Sequence, residues 1–92
     1  MAHLTDEQLA AFLAEHGEWQ NSDQSMVRSF EFADFVAAMG FVTSVAMLAE
    51  KAFHHPDIDI RWNTVTLRLS THSEGGLTKK DTDLAIQIDN LV

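Results

Sequence analysis

Four side chains in this sequence are of types, and at spacings, that suit the movement of protons: His54, His55, His72 and Asp81. Imidazole both gives and takes a proton near neutral pH, and three of them with one nearby aspartate make an acid–base site. His54 and His55 are adjacent and directly precede Pro56. On a continuous helix two neighbours point about 100° apart. The residue before a proline leaves helical angles, so the break can turn both rings toward one cleft. His72 lies 18 residues beyond His54, and a hairpin reversing at Asn63 brings it back toward the same end of the fold. The chain has no cysteine, so the site is one of acid–base chemistry without a thiolate.

Each of these residues also has a plainer role open to it. A His-His pair at a helix C-terminus complements the helix dipole, and Asp81, in the third position of the last helix, stabilises that N-terminus by about 0.3–1 kcal/mol. Three histidines with an aspartate can bind zinc, although adjacent ligands such as His54 and His55 have awkward geometry. Glu50 can be a solvated residue of its helix, and Lys79-Lys80 a solvated first turn. Gly75-Gly76 reads as a turn and not a phosphate cradle, because no P-loop lysine motif follows it. His3 and His16 read as incidental.

The elements that must position these groups follow from capping and periodicity. Thr5-Asp6-Glu7-Gln8 is a capping box with Leu4 and Leu9 at the staple positions. It predicts a helix from Asp6 to about His16 that buries Leu9, Phe12 and Leu13 and ends at Gly17. Trp19-Gln20 reads as a short strand, Asn21 to Gln24 as a polar turn and Met26 to Phe32 as a second strand. A long helix is expected from Ala33 to about Phe53. It carries one apolar stripe of Phe35, Met39, Val42, Ala46, Ala49 and Phe53 and another of Phe41, Val45 and Leu48. One stripe packs on a sheet; the other needs another surface, and Phe41, Val45 and Leu48 can supply it.

Ile58, Ile60 and Trp62 alternate with Asp57, Asp59 and Arg61, and Thr64 to Thr71 is a β-branched strand with Val65, Leu67 and Leu69 on one face. By parity His72 closes that strand on the opposite face. Thr78 caps a last helix whose core face is Leu84, Ala85, Ile88 and Leu91. This order implies one α+β domain over residues 1–92: an N-terminal helix, then β-β-α-β-β-α, in two layers, with a four-stranded antiparallel sheet and the helices on one face.

Composition narrows the function classes. With 46% hydrophobic and 22% charged residues the chain is globular. A net charge of −8 opposes binding to a phosphate backbone, so no direct nucleic-acid contact is expected. No window is expected to reach the ~18 apolar residues that cross a membrane. The start, Met1 to Glu7, lacks the regions of a signal peptide, and the absence of cysteine fits a cytoplasmic protein.

Three motifs, Glu50-Lys51-Ala52-Phe53-His54-His55-Pro56, Ser70-Thr71-His72 and Gly76-Leu77-Thr78-Lys79-Lys80-Asp81, together resemble the pterin-4a-carbinolamine dehydratase family. That family shows Glu-Lys-x-x-His-His-Pro, then a strand ending in Thr/Ser-His, then Gly-Leu-Thr/Ser-x-Arg/Lys-Asp. Its vertebrate members double as a dimerisation cofactor for a homeodomain transcription factor. The resemblance runs from about Trp19 to Leu91 and implies the same fold. It also implies dehydration of a 4a-hydroxytetrahydropterin to quinonoid dihydropterin and water, in the recycling of the pterin used by aromatic amino-acid hydroxylases. It carries the catalytic roles to His54, His55, His72 and Asp81, and implies substrate contacts from His55 and Glu50. Trp19 falls in the region of a family tryptophan and is either a pocket-edge residue or a core residue.

No metal or redox cofactor is implied, and the family's habit of association implies a homodimer or homotetramer. Ile58, the run Ile60-Arg61-Trp62 and Phe53 depart from the family pattern, at the pocket rim and not at the proton-transferring groups. An interaction module on the same fold would need the exposed helix stripe but none of the histidines.

Overall fold

The computed structural model describes residues 2–92. Helix α1 spans Asp6–Glu15, strands β1 and β2 span Gln20–Asn21 and Met26–Glu31, and helix α2 spans Phe35–Ala52. Strands β3 and β4 span Asp57–Arg61 and Thr64–Leu69, a single 3-10 turn covers His72–Glu74, and helix α3 spans Lys79–Asp89. The four strands form one antiparallel sheet in the order β1-β2-β4-β3, as the α+β reading requires. Pairing of Phe30 with Val65 and of Arg28 with Leu67 aligns the apolar residues of both central strands on one face. Ser29 and Thr66 pair on the other, their hydroxyls 2.8 Å apart.

The core lies between the apolar sheet face and the helices. Met26, Phe30, Val65, Leu67 and Leu69 from the strands meet Phe41 and Val45 of α2 and Leu84 and Ile88 of α3. In α1 the capping box forms as expected: Gln8 N–H donates to Thr5 Oγ1 at 3.1 Å, and Thr5 N–H donates to Gln8 Oε1 at 2.8 Å. Leu9, Phe12 and Leu13 reach the core only partly buried, so α1 lies at its margin. The helix stops at His16, and Gly17 takes no left-handed angle.

The long helix begins at Phe35, not Ala33, because the Asp34 carboxylate accepts the Ala37 N–H at 2.8 Å and caps α2. The buried row of α2 is Ala38, Phe41, Val45 and Ala49, so the Phe41–Val45 stripe faces the core and is not free for a partner. The outward row includes Phe35, Val36 (78% exposed), Met39 and Met47 (71% exposed). The 18 residues of α2, at mean hydropathy 1.4, are long and apolar enough by length and composition to cross a membrane, contrary to the sequence expectation. The packing of its inner row on the sheet makes it a core helix in this fold. Trp62 does not continue β3. It takes φ 51° in the two-residue link between the strands, where a tight hairpin calls for a positive φ. Strand β4 ends at Leu69, so His72 lies in the 3-10 turn and not on the strand.

Candidate active site

The end of α2 sorts the two adjacent histidines. Phe53 adopts a left-handed conformation (φ 51°, ψ 40°), and the amides of Phe53 and His54 return to the carbonyls of Glu50 and Ala49 at 3.3 and 3.1 Å. Such a cap satisfies the last helical carbonyls, although a left-handed angle costs a residue with a Cβ roughly 1–2 kcal/mol. Beyond this reversal the neighbours part company. His54 is only 8% exposed, whereas the exposed His55 ring directs Nε2 to Glu50 Oε1 at 2.6 Å.

His54 meets a buried carboxylate. Its Nε2 lies 2.5 Å from Oδ1 of Asp81, which is wholly buried. Asp81 has two further donors, both on Oδ2: the Thr71 hydroxyl at 2.7 Å and the Thr78 N–H at 2.9 Å. With the Thr71 hydrogen committed to Asp81, the Thr78 hydroxyl donates to Thr71 Oγ1 at 2.8 Å. A charge buried with this many hydrogen bonds is held in place by them. A carboxylate accepts, so His54 carries its hydrogen on Nε2, which leaves Nδ1 as the nitrogen with the lone pair in the neutral ring. Asp81 thus keeps its expected place in the third position of α3, completes a capping box with Thr78 there and also fixes the ring of His54.

His72 opens the 3-10 turn that follows β4, and its side chain is exposed. The turn is closed at its base by the bridge between Thr71 and Gly76. His54, His55 and His72 then line one open cleft of about 260 Å³, together with Phe53, Thr71 and Lys80. Two bases and a third imidazole around one concavity can take a proton from one atom of a bound molecule and give one to another. As for zinc, His54 and His55 spend their Nε2 atoms on different carboxylates, and no group of three or more metal-ligating side chains converges among the described residues.

The description "Pterin 4 alpha carbinolamine dehydratase" belongs to a family model that matches residues 2–91. Two bacterial relatives are named, provisionally, pterin-4-alpha-carbinolamine dehydratase. One, from Chloroflexus aurantiacus, is 50% identical over 92 residues, covering 100% of this chain and 99% of its own. The other, from Nocardia farcinica, is 53% identical over 88 residues, covering 96% and 93%. This chain belongs to the pterin carbinolamine dehydratase family. A solved structure of a transcriptional coactivator/pterin dehydratase from Brucella melitensis superimposes with a TM-score of 0.93 at 36% identity, over 98% of each chain. A pterin dehydratase-like RuBisCO assembly factor of the alpha-carboxysome shares the fold alone, with a TM-score of 0.66 at 22% identity over 79% of this chain and 84% of that one.

Against that family background the structure gathers His54, His55 and His72 on one cleft and sets Glu50 behind His55 and Asp81 behind His54. Trp19 goes elsewhere. It is 2% exposed, and its indole N–H donates to both carboxylate oxygens of Asp89, at 2.9 and 3.0 Å. It does not line the histidine cleft; the polar end of a core indole needs an acceptor, and the partly buried Asp89 supplies one. Phe53 lines the cleft, as its expected place at the pocket rim implies, and Thr71 and Lys80 join it there without a local signal in the sequence. Thr78 was legible as a helix cap, but nothing local in the sequence signals that its hydroxyl reaches Thr71.

Proposed function

We propose that this chain is a hydro-lyase that converts a 4a-hydroxytetrahydropterin to quinonoid dihydropterin and water. The observation that carries the reading is the His54–Asp81 pair, buried at the floor of a cleft that His55 and His72 also line. In the reaction the C4a–O bond breaks, the departing hydroxyl takes a proton and leaves as water, and N5 loses its proton as the N5–C4a double bond forms. His54, with Nε2–H held by Asp81, presents the other ring nitrogen as the base for N5. His72, exposed on its turn, protonates the leaving oxygen. His55, braced by Glu50, holds the pterin. Acid–base catalysis of this kind is typically worth about 10²–10⁴-fold.

The same reading places the chain in the cytoplasm, in the recycling of the pterin consumed by aromatic amino-acid hydroxylases. It also makes the protein a homodimer or homotetramer, supported by the outward α2 row of Phe35, Val36, Met39 and Met47. The decisive experiment is a stopped-flow measurement of dehydration on freshly generated 4a-hydroxytetrahydropterin. Acceleration over the buffer rate that is lost in the His54→Ala/His72→Ala protein is the expected result. A wild-type protein that gives no acceleration leaves the fold as an interaction module.

A further inference from the structure

His3 has no part in the cleft, yet it grips the back of the turn that carries His72. Its ring Nε2–H donates to the backbone carbonyl of Glu74, the last residue of the 3-10 turn. The same ring lies against Gly76, where an added Cβ would come within 3.6 Å of its Cε1. The backbone around it is tied as well: His3 bridges Thr78, and Leu4 N–H donates to the Leu77 carbonyl at 2.9 Å. A short extended segment ahead of α1 therefore runs antiparallel to residues 76–78 and straps the outside of the loop between β4 and α3.

Backbone hydrogen bonds also hold that loop. The Thr71–Gly76 bridge closes its base, and the Gly75 amide returns to the His72 carbonyl at 3.1 Å. Gly75 sits at φ 70°. Loop segments held mainly by their own backbone hydrogen bonds open at low free energy. His72 is exposed, without a side-chain partner among the described residues. A catalytic side chain displaced by as little as 1 Å loses much of its effect. We propose that His3 is a positioning residue for His72, acting through the Glu74 carbonyl to hold the 3-10 turn against the cleft. The inference rests on the dehydratase reading for its kinetic consequence but not for its structural one.

The test uses His3→Ala and His3→Gln in the full chain. In His3→Ala, amide hydrogen exchange at residues 72–76 accelerates by about tenfold or more while the core of β4 and α2 stays protected. Turnover falls by about 3- to 10-fold, a part of the effect of losing an acid–base group outright, and KM changes little. The His3→Gln amide can still donate to the carbonyl and restores much of both. In a His72→Ala background the His3→Ala change has no further effect on turnover, as two residues acting through one group require.

Unchanged exchange at residues 72–76 in His3→Ala overturns the strap. An equal further loss of turnover in the His72→Ala background overturns its action through His72. If wild-type protein proves to have no dehydratase activity, the exchange measurement still decides whether His3 orders the turn. The two readings therefore fail separately.

Discussion

Asp81→Asn changes one atom of the site and reverses the sense of one hydrogen bond. Three donors meet the Asp81 carboxylate: His54 Nε2 on Oδ1 at 2.5 Å, with the Thr71 hydroxyl and the Thr78 N–H on Oδ2 at 2.7 and 2.9 Å. An amide oxygen in the Oδ2 position keeps the last two bonds, so the new NH₂ must face His54. Two N–H groups cannot share a hydrogen bond, and the imidazole responds by moving its hydrogen to Nδ1. Its lone pair then lies on Nε2, buried against the amide and useless to a substrate. Loss of a general base removes about 10²–10⁴-fold, and we expect turnover to fall by at least about 10²-fold.

The variant should also be less stable. All three bonds to the buried carboxylate become neutral ones; a hydrogen bond to a charged group is worth about 1.5–3 kcal/mol against about 0.5–1.5 for a neutral one, and each kcal/mol lost lowers the melting temperature of a domain of this size by about 4–8 °C. Stopped-flow turnover, thermal unfolding and nitrogen NMR of the His54 ring report the three effects separately. Near-wild-type turnover in a protein whose His54 ring has changed tautomer refutes the assignment of His54 as the base.

His72→Ala should lower turnover by about tenfold or more with an unchanged unfolding transition, because its side chain is exposed. His55→Ala should raise KM more than it lowers kcat, measured in the same dehydration assay; the reverse split would remove His55 from substrate holding. Val36→Lys together with Met47→Lys should convert an oligomer to monomers by light scattering, since both project from the outward row of α2. The Leu48→Lys change, on a half-buried residue packed against the core, should instead reduce stability. Phe53→Asn, at the left-handed residue that closes α2, should raise the denaturation midpoint by the equivalent of about 0.5–1 kcal/mol, because asparagine tolerates that angle.

Sequence legibility followed the range of the interactions. The capping box of α1, the Thr78 cap and the order of strands and helices depend on neighbours within a few residues or on simple alternation and could be read directly, whereas the histidine constellation was legible through the family motifs that carry it. The orientation of α2 could not. Its two stripes are both apolar, so periodicity alone does not say which one meets the sheet, and the choice falls to the fit of Ala38, Phe41, Val45 and Ala49 against the core. Trp62 alternates correctly with Ile58 and Ile60, yet the hairpin needs a left-handed residue at that point and takes it. Trp19 and His3 find their partners 70 and 71 residues away, at separations that no local pattern reports.

The Asp81 cluster ties together three element ends: His54 beyond α2, Thr71 after β4 and Thr78 at the cap of α3. A lineage of this fold that abandoned dehydration would still need that knot to hold its helices to its sheet. Persistence of an aspartate here, in any protein of this shape, is therefore poor testimony that the protein is an enzyme. The informative witness is the residue with nothing to support. An imidazole at the position of His72 stabilises no element of the fold, so selection for catalysis is what would preserve it, and its loss would be the first mark of a descendant turned to other work.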